Sequence, residues 1–136
     1  MAFNVNTLNG GKSPLLRTAA KVISTWTGNI QVGDLVMPNT SGNWVIESCA
    51  NNESFSSAPI GQVMSIEKGS VFCTVEWINV RGYVTLQYST VMSRGSTLIC
   101  ANDTSSVTGS ATFTTDDNTY VIAVDTGNTQ ATALLL

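Results

Sequence analysis

The sequence predicts an all-β fold: a small antiparallel β-sandwich or barrel, jelly-roll-like among the possible arrangements, behind an extended N-terminal arm. Three observations carry this. In Val71-Phe72-Cys73-Thr74-Val75-Glu76-Trp77, residues Val71, Cys73, Val75 and Trp77 point one way and Thr74 and Glu76 the other, the period-2 pattern of a strand with one buried face. Charged residues make up only 11% of the chain, well below the roughly 25% of soluble domains. Ser, Thr and Asn replace them, residues that suit turns and the solvent faces of strands better than helices. Turn signals recur about every eight to twelve residues with short apolar runs between them, the spacing of sandwiches and barrels.

Each element follows in order. Residues 1–16 read as the arm, because Asn4, Asn6, Asn9, Gly10-Gly11 and Pro14 discourage regular structure. Ser13-Pro14 is able to start a short helix reaching Ile23, but the β-branched run Val22-Ile23-Ser24-Thr25 favours a strand by residue 22. Residues 17–136 then form a single β domain. Thr27-Gly28-Asn29 turns the chain, Gly33-Asp34 opens the strand Leu35-Val36-Met37, and Asn39-Thr40-Ser41-Gly42 forms a hairpin loop into Trp44-Val45-Ile46. Asn51 to Ser57 is a polar loop before the strand Pro59 to Ile66, and Lys68-Gly69 turns into the Val71 strand. Arg81-Gly82 precedes a strand on which Val84, Leu86 and Tyr88 share a face, and Arg94-Gly95 leads into Thr97 to Cys100. Asp116-Asp117-Asn118 and Asp125-Thr126-Gly127-Asn128 bracket Tyr120 to Val124, and the chain runs out through Leu134-Leu135-Leu136. Three terminal leucines would be exposed unless that strand is paired and covered, either in the protomer's own sheet or against a neighbouring subunit.

The chain of 136 residues is long enough to bury roughly two-thirds of its unfolded surface without a metal or cross-link. Cys49, Cys73 and Cys100 are far apart and sit in apolar runs, so they are expected as buried free thiols, which favours assembly in a reducing compartment. No cysteine spacing fits a zinc or redox motif. The start, Met-Ala-Phe-Asn-Val-Asn, shows neither a basic leader nor an apolar core, so cytoplasmic synthesis is expected. No apolar stretch approaches the ~20 residues of a membrane span. The net charge of −3 leaves no general attraction to nucleic acid or to an anionic membrane. It is unevenly placed: Lys12, Arg17 and Lys21 precede the first acid, Asp34, so a basic arm adjoins an acidic body.

Chemistry is scarce. With no histidine, Ser-His-Asp and Cys-His pairs cannot form within this chain, and no phosphate-binding Gly-rich motif is present. The one adjacent carboxylate pair, Asp116-Asp117, reads as a turn. Asp125-Thr126-Gly127 resembles the triplet of aspartic proteases, but only nine residues follow Gly127, so it too reads as a turn. No ligand spacing supports a calcium site at Asp103, Asp116 and Asp117. Neither catalytic residue, cofactor nor metal is expected. Trp26, Trp44 and Trp77 are the candidates for a sugar-stacking platform; Trp77 shares a core face, and Trp44 sits beside a turn.

The order Gly33-Asp34-Leu35-Val36, Trp44-Val45-Ile46, Ala58-Pro59-Ile60-Gly61-Gln62-Val63, Gly82-Tyr83-Val84 and a final Asp-Thr-Gly turn into an apolar end resembles the decoration, or cement, proteins of tailed-phage heads, over roughly residues 30–136. The resemblance implies a β-rich virion module on the capsid surface, dimeric or trimeric, that bridges neighbouring major capsid subunits and has no catalytic residues. A phage tail or fibre module and a carbohydrate-binding β-sandwich are the alternatives. The expected contacts, with capsid or sister subunit, are Phe3, Val5, Leu8, Lys12, Leu15, Leu16 and Arg17 of the arm region and Leu134, Leu135 and Leu136 at the other end. Burying the five apolar residues of the arm would contribute at most about 8–15 kcal/mol, against about 12–24 kcal/mol to fix a dozen residues. The arm is therefore expected to need backbone pairing to a partner's strand edge and to order only on the shell or a sister subunit.

Overall fold

The computed structural model describes residues 15–49, 53–67, 69, 71–101 and 103–136, and among them it contains strands but no α-helix. The arm before Leu15, with Phe3, Val5, Leu8 and Lys12, lies outside the described residues. The described residues form ten strands, most of them through apolar-polar alternation: β1 (Arg17–Val22), β2 (Leu35–Pro38), β3 (Val45–Ser48), β4 (Gly61–Ile66), β5 (Phe72–Trp77), β6 (Tyr83–Gln87), β7 (Ser96–Cys100), β8 (Val107–Thr112), β9 (Thr119–Asp125) and β10 (Gln130–Leu135). Of the architectures the sequence allows, the barrel forms: β1-β3-β2-β4-β5 close on themselves, flanked by a three-stranded sheet β6-β10-β9 and a two-stranded sheet β7-β8. Among the described residues, the named strands pair antiparallel except β1 with β3, which align in parallel at Lys21 and Val22; a single parallel bridge also joins Tyr88 to Val107. The segment that follows Pro14 is thus a strand by residue 22, β1 over Arg17–Val22, and not a helix.

Two apolar clusters hold these sheets. The barrel interior takes Ala20, Val22, Val36, Ile46, Val63 and Val75. The second cluster packs Leu35, Ile60 and Ile78 from the barrel side against Val84, Leu86, Leu98, Val107, Val121 and Leu135. Leu35 and Val36 are successive residues of one strand and belong to different clusters, both fully buried. At Leu35 and Val36, β2 therefore has no solvent face; there it is the wall the two cores share. Each such side chain contributes about 1.5–3 kcal/mol by leaving water. Gly61 is dictated by the close approach of β4 to β5, since a Cβ there would lie 2.3 Å from Val75 Cγ1. A buried hydroxyl pair joins the smaller sheets: Thr97 Oγ1 and Thr119 Oγ1 are 2.8 Å apart, and the Leu98 amide donates to the same Thr119 oxygen at 2.8 Å.

Three expectations are corrected. Cys49 and Cys100 are not free thiols but a disulfide, because the ends of β3 and β7 meet in the second core; only Cys73 is free and buried. Glu76 does not face solvent. It is buried, with Oε1 accepting from Arg17 Nε at 3.1 Å and Oε2 from Arg81 Nη1 at 3.0 Å, so two guanidinium arms cover the polar side of β5. Val71 does not join Cys73, Val75 and Trp77 inside; it precedes β5 and is exposed.

Candidate functional site

The acidic turns are structural. Asp117 Oδ2 accepts from the Thr114 amide and hydroxyl. Asp125 Oδ1 accepts from the Gly127 and Asn128 amides, and Oδ2 from Asn128 Nδ2; these donors hold the Asp125 carboxyl below the ordinary value of 3.8. Asp103 holds the turn before β8. Its partial burial raises the carboxyl, and the Ser106 hydroxyl with the Ser105 and Ser106 amides outweighs that and lowers it overall. Among the described residues, no group of three His, Cys, Asp or Glu side chains is placed to hold a metal ion.

What the structure offers instead is apolar surface in two places. The first is the outward face of β6-β10-β9. Val84, Leu86, Ala131, Ala133, Leu135 and Val121 point to the core, so the residues between them point out. Leu134 lies directly opposite Tyr83 on β6 and Tyr120 on β9, forming a row across all three strands. Tyr83 is 58% exposed, and Leu134 and Tyr120 are also open to solvent. Phe113 meets Tyr120 edge-to-face with centroids 5.5 Å apart, and Ile122 is exposed beside it, where the register shifts between Thr132 and Ala133. The next row is Thr85 and Thr132, hydrogen-bonded through their hydroxyls at 2.9 Å, and the one after is Gln87, Gln130 and Asp125. The face therefore grades from apolar at the end of the chain to polar at the β9–β10 turn. A hydrophobic cluster rimmed by hydroxyls and amides has the character of a protein interface.

The second place is the mouth of the barrel, an open depression of about 350 Å³ lined by Leu16, Pro38, Trp44, Pro59, Trp77 and Val80. Its polar neighbours are turned away. Thr18 Oγ1 accepts from Trp77 Nε1 at 2.8 Å. Asn79 Oδ1 accepts from the Ile60 amide at 2.7 Å, and Asn79 Nδ2 donates to the Phe55 carbonyl at 2.9 Å. Trp44 stands at the rim, 64% exposed, in a left-handed backbone conformation with φ of 57°. That conformation costs a bulky L-residue about 1–2 kcal/mol, yet it presents the indole to solvent.

The expected contact residues divide accordingly. Leu16 lines the barrel mouth, while Arg17 is engaged with Glu76. Leu15 is exposed at the root of the arm. Leu134 and Leu136 are exposed, whereas Leu135 is turned into the second core. The terminal strand completes the protomer's own sheet, as the simpler of the two readings expected, and still leaves Leu134 outside. Tyr83, Tyr120, Phe113 and Ile122 were missed by the sequence reading. Strand alternation places Tyr83 opposite in face to Val84 and Leu86, a usable signal; its meeting with Leu134 depends on long-range register.

Comparison of the chain with protein-family models, with curated proteins and with solved structures finds no match.

Proposed function

We propose that this chain is a non-catalytic structural protein of a phage virion, one that decorates the capsid and cements neighbouring major capsid subunits. The observation that carries the reading is the Tyr83–Leu134–Tyr120 row: a rigid, three-stranded, apolar face with a polar margin on a protein whose carboxylate turns are spent on their own backbone. Such a face is suited to lying against another protein, and multiple copies on a repeating shell add avidity to a modest single contact. The motif order quoted above supplies the capsid assignment. The protein would be made in the host cytoplasm and act at the capsid surface, as a dimer or trimer in contact with major capsid protein.

The tail or fibre alternative uses the same surface chemistry and differs in copy number. A carbohydrate ligand would need hydrogen-bonding groups beside the aromatic ring, whereas Thr18 and Asn79 at the barrel mouth direct theirs inward. That favours a protein partner.

The test is co-sedimentation of the purified protein with assembled shells stripped of it. Leu134→Asp and Tyr83→Ser are expected to keep the fold and abolish binding. Undiminished binding by both variants would remove this face from the proposal.

A further inference from the structure

The two ends of the barrel are built in opposite ways. At the Trp44 mouth, Thr18 and Asn79 direct their polar groups to the protein's own chain. At the other end, where β1 finishes and β5 begins, two open depressions of about 280 and 340 Å³ share the segment Lys21 to Ser24 as a wall. The first is also lined by Trp26 and Gly28, the second by Ser41 and Asn43. The wall is held from both sides. Lys21 N donates to Trp44 O and Ile23 N to Ile46 O, while Val22 N donates to Val71 O and Trp26 N closes the turn onto Ile23 O. Ala20 and Val22 point into the barrel, so Lys21 between them points out. Trp26 is half-buried and packed against the barrel core. Its indole N–H has no hydrogen-bond partner among the described residues, where Ser48 Oγ is the one buried side-chain polar atom left without one; the Trp26 N–H is therefore open to solvent. The Lys21 ammonium, the Ser24 and Ser41 hydroxyls and the Asn43 side-chain amide are likewise unpartnered among the described residues, and all four residues are exposed.

We propose that this end of the barrel binds an acidic saccharide, with a sugar ring on the Trp26 indole and its carboxylate at Lys21. A sugar ring has an apolar face of C–H groups and an equator of hydroxyls. It therefore suits an aromatic surface edged by a few placed polar groups. Ser24, Ser41 and Asn43 offer both donors and acceptors, which hydroxyls require, whereas the ammonium and the indole N–H offer donors alone. Lys21 is the one charged residue lining either depression, and no carboxylate lines them. An anion thus meets a cation without a repelling neighbour, and a charge-assisted bond is roughly twice as strong as a neutral one. The three tryptophans do not form one platform: Trp44 and Trp77 line the apolar mouth, and Trp26 alone stands among free polar groups. The pinned wall keeps Lys21 and Trp26 in place before a ligand arrives, so little ordering cost falls on binding. This inference goes beyond the capsid reading and uses none of the residues of the β6-β10-β9 face, so either can fail without the other.

NMR titration of the isotope-labelled full-length chain tests this, with a panel of short acidic glycans (oligogalacturonate, hyaluronan and alginate fragments, sialyllactose) and neutral glycans of equal length, each carried to millimolar concentration. The Trp26 indole resonance, assigned from Trp26→Phe, is expected to shift saturably with at least one acidic glycan. Its neutral counterpart should bind about ten-fold more weakly, and the Trp77 indole, bonded to Thr18, should stay still. Lys21→Gln changes an exposed side chain and should bring the two affinities together. Gly28→Asn should block both: Gly28 lines the first depression at φ 77°, which Asn tolerates, and a Cβ there meets nothing within 4 Å. The Val75 amide resonance reports in each variant that the barrel is intact. No saturable shift of Trp26 with any glycan overturns the proposal. So does equal affinity for acidic and neutral glycans, or binding that survives both variants, which places the sugar elsewhere.

Discussion

Cys49 and Cys100, 51 residues apart in the chain, are joined by a disulfide with their Cα atoms 6.1 Å apart. One follows β3 of the barrel and the other ends β7 of the small sheet, so the bond crosses the second core and ties the barrel to the layer outside it.

Closing a loop of that length removes denatured-state entropy equivalent to about 4 kcal/mol in the chain-entropy account. The Cys49→Ser, Cys100→Ser double variant is expected to lose stability of that order in urea melts, with the barrel strands retained. Thiol trapping should give two states: reduced in cell extracts and oxidised in released particles, since surfaces outside the cytosol favour disulfides. Cys73 should resist alkylation in both, because burial pushes its thiol above the ordinary 9.0.

Among the described residues, Glu76 is the one buried acid that two cations share. Glu76→Ala strands neither guanidinium in a dry site, because Arg17 is half exposed, but it removes two charge-assisted hydrogen bonds. A loss of about 2 kcal/mol is expected in chemical denaturation, and Arg81→Ala added to it should cost less than it does alone.

The three terminal leucines are expected to separate cleanly. Leu135→Ala leaves a cavity in the second core and should cost about 2–5 kcal/mol. Leu134→Ser and Leu136→Ser change exposed side chains and should move stability by no more than about 0.5 kcal/mol. Thermal melts measure all three, and Leu134→Ser alone should also weaken shell binding.

Trp44 tests whether the strained rim residue is kept for contact or for folding. Trp44→Gly relieves about 1–2 kcal/mol of left-handed strain against about 0.5–1 kcal/mol of added chain entropy. The melting temperature should hold or rise by about 2 °C. A fall of several degrees would show that the exposed indole supports the fold.

Acid should loosen the turn before β8. Because the Asp103 carboxyl is held below its ordinary 3.8, its contribution is present above that value and lost as pH falls through the lower folded-state one. Asp103→Asn should therefore flatten the decline of stability as pH falls below the ordinary 3.8, measured by urea melts at acid pH, at some cost at neutral pH.

Through alternation, β5 of the barrel was legible at Cys73, Val75 and Trp77, and β6 of the neighbouring sheet residue by residue. β8 was not, because Val107-Thr-Gly-Ser-Ala-Thr carries a single large apolar residue and owes its strand to pairing with β7. Phe55, inside a run that reads as a polar loop, is buried in the second core. Glu76 obeys the period but not its consequence, since the cover comes from Arg81 on the following turn. The cysteine pair and the Tyr83–Leu134–Tyr120 row both depend on register between segments about fifty residues apart, which local pattern does not encode. What could be read was an apolar chain end and a Trp44 beside a turn; the exposure of Trp44 follows from its left-handed position at the barrel rim.

The measurement that bears most directly on the proposed role is quantitative mass spectrometry of density-purified particles from the native source, counting this chain against the most abundant shell protein. A decoration protein predicts near-stoichiometric amounts, hundreds of copies on each particle. A handful of copies would shift the role to the tail, and complete absence from particles would contradict the virion assignment altogether.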